Sequence, residues 1–480
     1  MLPEIQKPNY TIKDDTETTG TDPHYDQLVE SYSQVQDNQT GKLISEYQSN
    51  CKSERFKLPS PTAIFINNCE VKKLINQVHP LEEAENCYEY FEKYEDSEYI
   101  AFNSKFDWSF RYSAYFQALR PNPYLLKSKG RIVLCAMEII RAIESTTDSR
   151  HIVVPRIDGV RSFKQQDICY ASGIIYSAHQ AKADVLAMDK LLKIIEDHHG
   201  NYLNRARYFA AKKRSLNFIY AHPFFIGSVG FKGKFSTRCL VPLSCCEKTS
   251  KFICIDIGQS SKADMDFLSS QSAYSLEKRI SEHPEKNFPL IEIPINKSKL
   301  FFEPEYFETS KTGSEIGLSK LKERAHHVWK NSELQDLASR IQSIKRDRYN
   351  RKDKTPETSI YENFPTHSER IFMKNFSDVP VQDKFNFLIS ESKLKHNRYY
   401  FLAKRMLLDR YPEFCPEEVV DKFNHWIRDR LHFSNDPYIR TFPKVEREIA
   451  NLLKKYPNCK DRIYEIEAYF EYRKLKLENI

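Results

Sequence analysis

The sequence predicts an α+β protein: a mixed, largely antiparallel sheet with helices in the middle region, followed by a C-terminal helical bundle. Three observations lead there. Short apolar runs bounded by turn residues recur between residues 61 and 305, and stretches with apolar residues at helical spacing separate them. Beyond residue 315 the helical spacing continues without strand-like runs. With 480 residues, 40% of them hydrophobic, the chain can bury two cores, since a single core stops growing at about 250–300 residues.

Residues 1–58 read as a disordered polar tail. Segments such as Asp14-Asp15-Thr16-Glu17-Thr18-Thr19-Gly20 carry no apolar period to offset the entropy of ordering. Order is expected to begin at Pro61–Ile66, an apolar run after Pro59-Ser60 that reads as a strand. An acidic helix follows over Leu81–Tyr94, then the aromatic-dense Phe102–Phe116, whose rings, with Trp108, are assigned to the core. Helical spacing over Arg131–Ile143 precedes a strand at His151–Val154. From Asp167 to Ile195 the residues Ile174, Ile175, Ala178, Ala181, Val185, Met188, Leu191, Leu192 and Ile195 are read as recurring on one face, which predicts a long amphipathic helix.

A second helix is expected over Asn204–Leu216. Phe224–Val229, Cys239–Leu243, Phe252–Ile257 and Leu290–Ile295 then read as strands, completing an α/β region over 61–305. In the helical, basic region 315–480, Leu334, Leu337, Ile341 and Ile344 mark one helix. Pro416 and Pro443 sit at the starts of two others, where proline is tolerated.

Composition narrows the function classes. The net charge of +7 admits an anionic partner, and the scarcity of glycine, 12 residues, disfavours loops that cradle a nucleotide. The phosphate-loop, His-Glu-x-x-His, Gly-x-Ser-x-Gly and Cys-x-x-Cys patterns are absent. No apolar run of about 18 residues could cross a membrane, and Met1–Ile5 lacks a signal-peptide layout, so a cytoplasmic location with no membrane partner is expected. Eleven cysteines, an odd number in a long chain, read as reduced thiols.

Two carboxylates stand inside apolar strands: Asp256 in Phe252–Ile257 and Glu292 in Leu290–Ile295. With Asp158 as a third oxygen donor they could share a divalent cation such as magnesium and, with Lys297 or Lys299, support phosphodiester hydrolysis. Four cysteines, Cys239, Cys245, Cys246 and Cys254, are numerous enough for zinc but fall in or beside strands, where packing is the expected role. Cys169, with His151, has the ingredients of a cysteine hydrolase. The basic run Arg340, Lys345, Arg346, Arg348, Arg351, Lys352 and Lys354 around Tyr349 offers several contacts to phosphates and one ring to a base.

The leading expectation is a nucleic-acid-associated protein, binding DNA or RNA and belonging to a mobile element or its host defence. The second is a metal-dependent nuclease or phosphodiesterase centred on Asp158, Asp256 and Glu292. The third is a non-catalytic interaction or effector protein whose C-terminal helices take a protein partner.

Overall fold

A computed structural model describes residues 2–231, 234–246, 250–282, 289–295, 298–312, 315–350 and 355–478. It confirms the α+β class and the helical C-terminal part, with two sheets where one was expected.

The largest correction concerns the polar opening, which is not a tail. It forms β1 (Tyr10–Thr18), β2 (Leu28–Asp37) and β3 (Leu43–Asn50), joined by β4 (Ser97–Ala101) and β5 (Ile132–Cys135) in the order β3-β2-β1-β4-β5. β1 is central, antiparallel to β2 and parallel to β4. Its polar side chains are buried in pairs: Thr11 bonds Glu98, Thr16 bonds Asp107 and Asp14 bonds Arg111. A strand stabilised by satisfied polar pairs has no apolar period to read.

Pro61–Ile66, expected as a strand, is a short helix with Ser60 accepting from the Ala63 N–H and proline in the first turn. Within the predicted helix over Arg131–Ile143, Ile132–Cys135 is β5, and the helix runs from Ala136 to Thr146. His151–Val154 forms no strand. The predicted long helix divides into Gln165–Ala171 and Ala181–Phe209, and the intervening turn carries Gly173 and His179 at positive φ.

A small hairpin, β6 (Arg156–Ile157) and β7 (Val160–Arg161), precedes the second sheet. That sheet comprises β8 (Phe225–Phe231), β9 (Lys234–Cys246), β10 (Lys251–Asp256), β11 (Leu290–Pro294) and β12 (Phe301–Phe302), ordered β11-β10-β9-β8-β12 and antiparallel throughout.

One apolar core joins Leu134 and Ile139 to the Ala181–Phe209 helix, the second sheet and the helices Leu318–Lys330 and Ser332–Asn350. Another packs the helices Pro80–Glu92 and Ser104–Gln117 against Phe372, Leu402 and Met406 of the C-terminal region. A third buries Phe56, Leu58 and Ile64 among Ile427, Ile449 and Ile463. Residues near the start of the chain are thus held by its last helices. No helix among the described residues is long and apolar enough to cross a membrane.

Candidate active site

Successive side chains of a strand point to opposite faces, and β1 uses both. Asp14 and Thr16 face the Ser104–Gln117 helix, where they meet Arg111 and Asp107. Lys13, Asp15 and Glu17 face the Ala181–Phe209 helix, where Lys13 pairs with Asp189. An irregularity in the β1–β2 register falls directly after Glu17, the kind of bulge that re-aims side chains beside a site.

Asp184, in the first turn of the Ala181–Phe209 helix, reaches the same place. Its Oδ2 accepts the backbone N–H of His179 at 2.9 Å and of Gln180 at 3.2 Å, and its Oδ1 accepts the Tyr176 hydroxyl at 2.8 Å. Carboxylate oxygens of Asp15, Glu17 and Asp184 lie within 4.8 Å of one another, the one converging set of potential metal ligands among the described residues. Asp107, in the first turn of its helix, adds a fourth carboxylate, held by the Thr16 hydroxyl at 2.9 Å. His179 lies exposed at the rim, at a φ of 66° that few non-glycine residues adopt.

Crowded carboxylates hold their protons. Burial, then Asp107, Glu17, Asp184 and Asp14, pushes Asp15 well above the usual carboxylate range. Burial, then Asp184, Glu30 and Asp107, pushes Glu17 up to about 8. Burial followed by Asp14 pushes Asp107 up to about 7, and burial raises Asp184 despite its three hydrogen bonds. Like charges gathered in a half-buried place favour either protons or a hard cation that takes oxygen ligands. A cavity of about 390 Å³ adjoins Glu17 and His179 and is lined also by Asn50, Asn67, Lys73, Lys182 and Arg462.

The residues proposed from sequence lie elsewhere and are not brought together. Asp158 and Gly159, both at positive φ, form the two-residue turn of the β6–β7 hairpin, which accounts for the Asp-Gly pair. Glu292 is opposite Ile253. Asp256 is three residues further along β10, about 10 Å away and on the opposite face of the sheet.

Asp256 and Glu292 are also already paired with cations. Asp256 pairs with Arg238 at 3.1 Å and accepts the Gly258 N–H, while Glu292 pairs with Lys345 at 2.9 Å and Lys251 at 3.4 Å. Burial works against the Glu292 carboxylate, yet Lys345 and Lys251 outweigh it and lower its pKa. Lys299 is engaged by Glu138, and Lys297 lies outside the described residues.

Of the basic run, Lys345 is thus held by Glu292. Arg340 pairs with Asp336 and Arg346 with its neighbour Asp347, both largely exposed. The side chain of Arg348, and Arg351, Lys352 and Lys354, lie outside the described residues. Cys239 and Cys169 are buried thiols pushed up to about 12 by burial, and Cys254 is raised well above the usual range, opposite to what a thiolate ligand or nucleophile needs. The side chain of Cys246 lies outside the described residues.

Four of the five converging residues left two signals in the sequence, the Asp15-x-Glu17 pair and His179-x4-Asp184 at the head of an amphipathic helix, and Asp107 left none. Both were hidden, one by a polar strand that resembles a tail and the other by an apolar period that runs on through a turn.

No protein-family model and no curated protein matches the chain. Solved structures do. The moderately thermophilic Exonuclease I from Methylocaldum szegediense superposes with a TM-score of 0.82 at 16% identity, covering 97% of this chain and 99% of that one. Exonuclease I of E. coli, in complex with a dT13 oligonucleotide, gives 0.80 at 16% identity over 97% and 99% of the two chains. An ExoI/SSB-Ct complex gives 0.80 at 16% identity over the same shares. Over nearly its whole length, this chain has the fold of the Exonuclease I structures.

Proposed function

We propose that this protein is a metal-dependent exonuclease that shortens single-stranded DNA from an end. The observation that carries the reading is the convergence of Asp15, Glu17, Asp107 and Asp184, with His179 at their rim, within a fold shared with Exonuclease I. The dT13 oligonucleotide bound by the E. coli protein supports the choice of substrate.

The donor set suits divalent cations: four carboxylates, all with raised pKa values and three within ligand distance, gain most from exchanging protons for metal. Magnesium or manganese held there would neutralise the phosphate and lower the pKa of an attacking water. His179, exposed beside Asp184, is placed to take the proton from that water. Lys73 and Lys182, which line the adjoining cavity and are held by long pairs with Glu70 and Glu46 among the described residues, would exchange those partners for the terminal nucleotide's phosphate. Asp184 is kept in one orientation by Tyr176 and two backbone donors, so little reorganisation is left to the reaction.

Nucleic-acid association therefore becomes part of an enzymatic reading, and the expected tie to a mobile element finds no support. The test uses 5′- and 3′-labelled single strands, duplex DNA, RNA and a circular single strand, each with magnesium. The expected result is stepwise shortening of linear single-stranded DNA from one end, with the circle intact and Asp184→Asn inactive. Unchanged linear DNA in both magnesium and manganese would overturn the proposal, as would full activity in Asp184→Asn.

A further inference from the structure

We infer that Asp107 is placed by a two-point clamp, Thr16 at one point and the buried Arg111–Asp14 pair at the other. These are positioning residues for the proposed cleavage, on which the inference rests. Asp107 and Arg111 are four residues apart on one helix, a rise of about 6 Å. Thr16 and Asp14 are two apart on β1, a rise of about 6.7 Å. The two spacings match, so helix and strand are fastened at two successive points: Thr16 Oγ1 donates to Asp107 Oδ1 at 2.9 Å, and Arg111 Nη2 donates to Asp14 Oδ1 at 2.9 Å.

The second point is closed to solvent. Arg111, Asp14 and Glu83 are shut off from solvent, at 0%, 0% and 1% side-chain exposure. Arg111 Nη1 donates to Glu83 Oε1 at 2.9 Å, and its Nε approaches Asp14 Oδ2 at 3.4 Å. Asp14 accepts further bonds from the hydroxyls of Ser33 and Tyr99. Strands β1, β2 and β4 and the helices Pro80–Glu92 and Ser104–Gln117 all contribute to this one network. An apolar contact would hold these elements together as tightly; it would not fix their register, which a directional fork does.

Register matters here because Asp14 and Thr16 alternate with Asp15 and Glu17. Whatever fixes the even-numbered side chains on one face of β1 fixes where the odd-numbered ones stand on the other. A helix free to slide by an ångström would carry Asp107 out of reach of the other carboxylates, and misplacement on that scale can cost about 100-fold in rate.

The test compares Thr16→Val, Thr16→Ser and Arg111→Lys in the full chain. The readouts are melting temperature, Mn²⁺ binding by calorimetry, and kcat and KM on end-labelled single-stranded DNA. For Thr16→Val the expectation is an essentially wild-type melt and KM, a kcat lower by about 10- to 100-fold and several-fold weaker Mn²⁺ binding, with Thr16→Ser restoring both. Arg111→Lys, which keeps the charge and loses the fork, should lower kcat and Mn²⁺ affinity as Thr16→Val does, with a lower melting temperature because buried acids lose partners. Wild-type kcat and Mn²⁺ affinity in Thr16→Val would overturn the clamp, as would failure of Thr16→Ser to rescue; these hold even if Arg111→Lys does not fold. A wild type that binds Mn²⁺ but cleaves nothing would sink the exonuclease reading alone, since Mn²⁺ affinity across the variants still decides the clamp. One that does neither overturns both.

Discussion

Acidic residues are set into strands in two regions of this molecule, and the regions differ in what faces them. On β1, Asp15 and Glu17 are met by Asp184 and Asp107, acids facing acids, and their pKa values rise. On β10 and β11, Asp256 is met by Arg238 and Glu292 by Lys345 and Lys251. The second arrangement is complete in itself. The first leaves charge unbalanced, and that imbalance is what the proposed function would relieve with a cation. A carboxylate's surroundings in space, more than its position within an apolar strand, separate structure from function.

The sharpest way to break this comparison is to neutralise one acid in each region. Asp184→Asn should lower turnover by at least about 1,000-fold, because a metal ligand contributes through charge. Its melting temperature without added metal should hold or rise, since one repelling charge is removed. Asp256→Asn should do the reverse. Turnover per folded molecule stays unchanged, while stability falls by about 1 kcal/mol because the part-buried Arg238–Asp256 pair is lost. Equal losses of turnover in the two variants would erase the distinction.

His179→Ala comes next, with an expected loss of about 100-fold in kcat, within the usual range for a general base. Metal binding should change little, since His179 contacts Asp184 through its backbone N–H and that bond survives the substitution.

How much of this was legible follows from the same contrast. The class, the four strands from Phe224 to Ile295 and the helices after Pro416 and Pro443 were readable because apolar burial leaves a period in the sequence. β1 left none: its buried positions include Thr11, Asp14 and Thr16, stabilised by partners about 20 to 100 residues away. The turn holding His179 was obscured in another way, since Ile174 and Ala181 on either side of it are both buried and sustain a helical period across nine non-helical residues, 172–180. Asp256 and Glu292 were conspicuous because their flanks are apolar, and apolar flanks are where a structural ion pair is also found.

Glu17 and Asp107 should titrate in the opposite sense to Glu292, whereas burial raises Asp256 above its ordinary value despite Arg238. Glu17 and Asp107 keep their protons to about 8 and about 7 in the folded chain, well above their unfolded values. Their contribution to stability is therefore fully present below about pH 4 and is lost as pH rises through 7 to 8. Glu292, with its pKa lowered, contributes above its unfolded value of about 4.3 and loses that contribution as pH falls through the lower, folded pKa. Without divalent cations the melting temperature should fall between pH 5 and 9. Saturating magnesium should flatten that fall in the wild type and leave it unchanged in Asp15→Asn. Scanning calorimetry at a few pH values, with chelator and with magnesium, measures both.

The smallest expected effect concerns the basic helix, where the comparison recurs between neighbours. Lys345 is 19% exposed at its side chain and pinned by Glu292, whereas Arg346 is 53% exposed and, among the described residues, pairs with the adjacent Asp347 at 3.8 Å. A pinned charge has little left to offer a phosphate, while a free one releases about 0.7 counterion per contact with a single strand. Arg346→Gln should therefore reduce the slope of log affinity against log salt by about 0.7 if this helix touches the DNA. Lys345→Gln should leave the slope alone and lower stability by under about 1 kcal/mol, the usual worth of a partly exposed pair. Equal slopes for both variants and the wild type would confine nucleic-acid contact to the acidic site and its cavity, and the Ser332–Asn350 helix would be left with packing against the second sheet as its role.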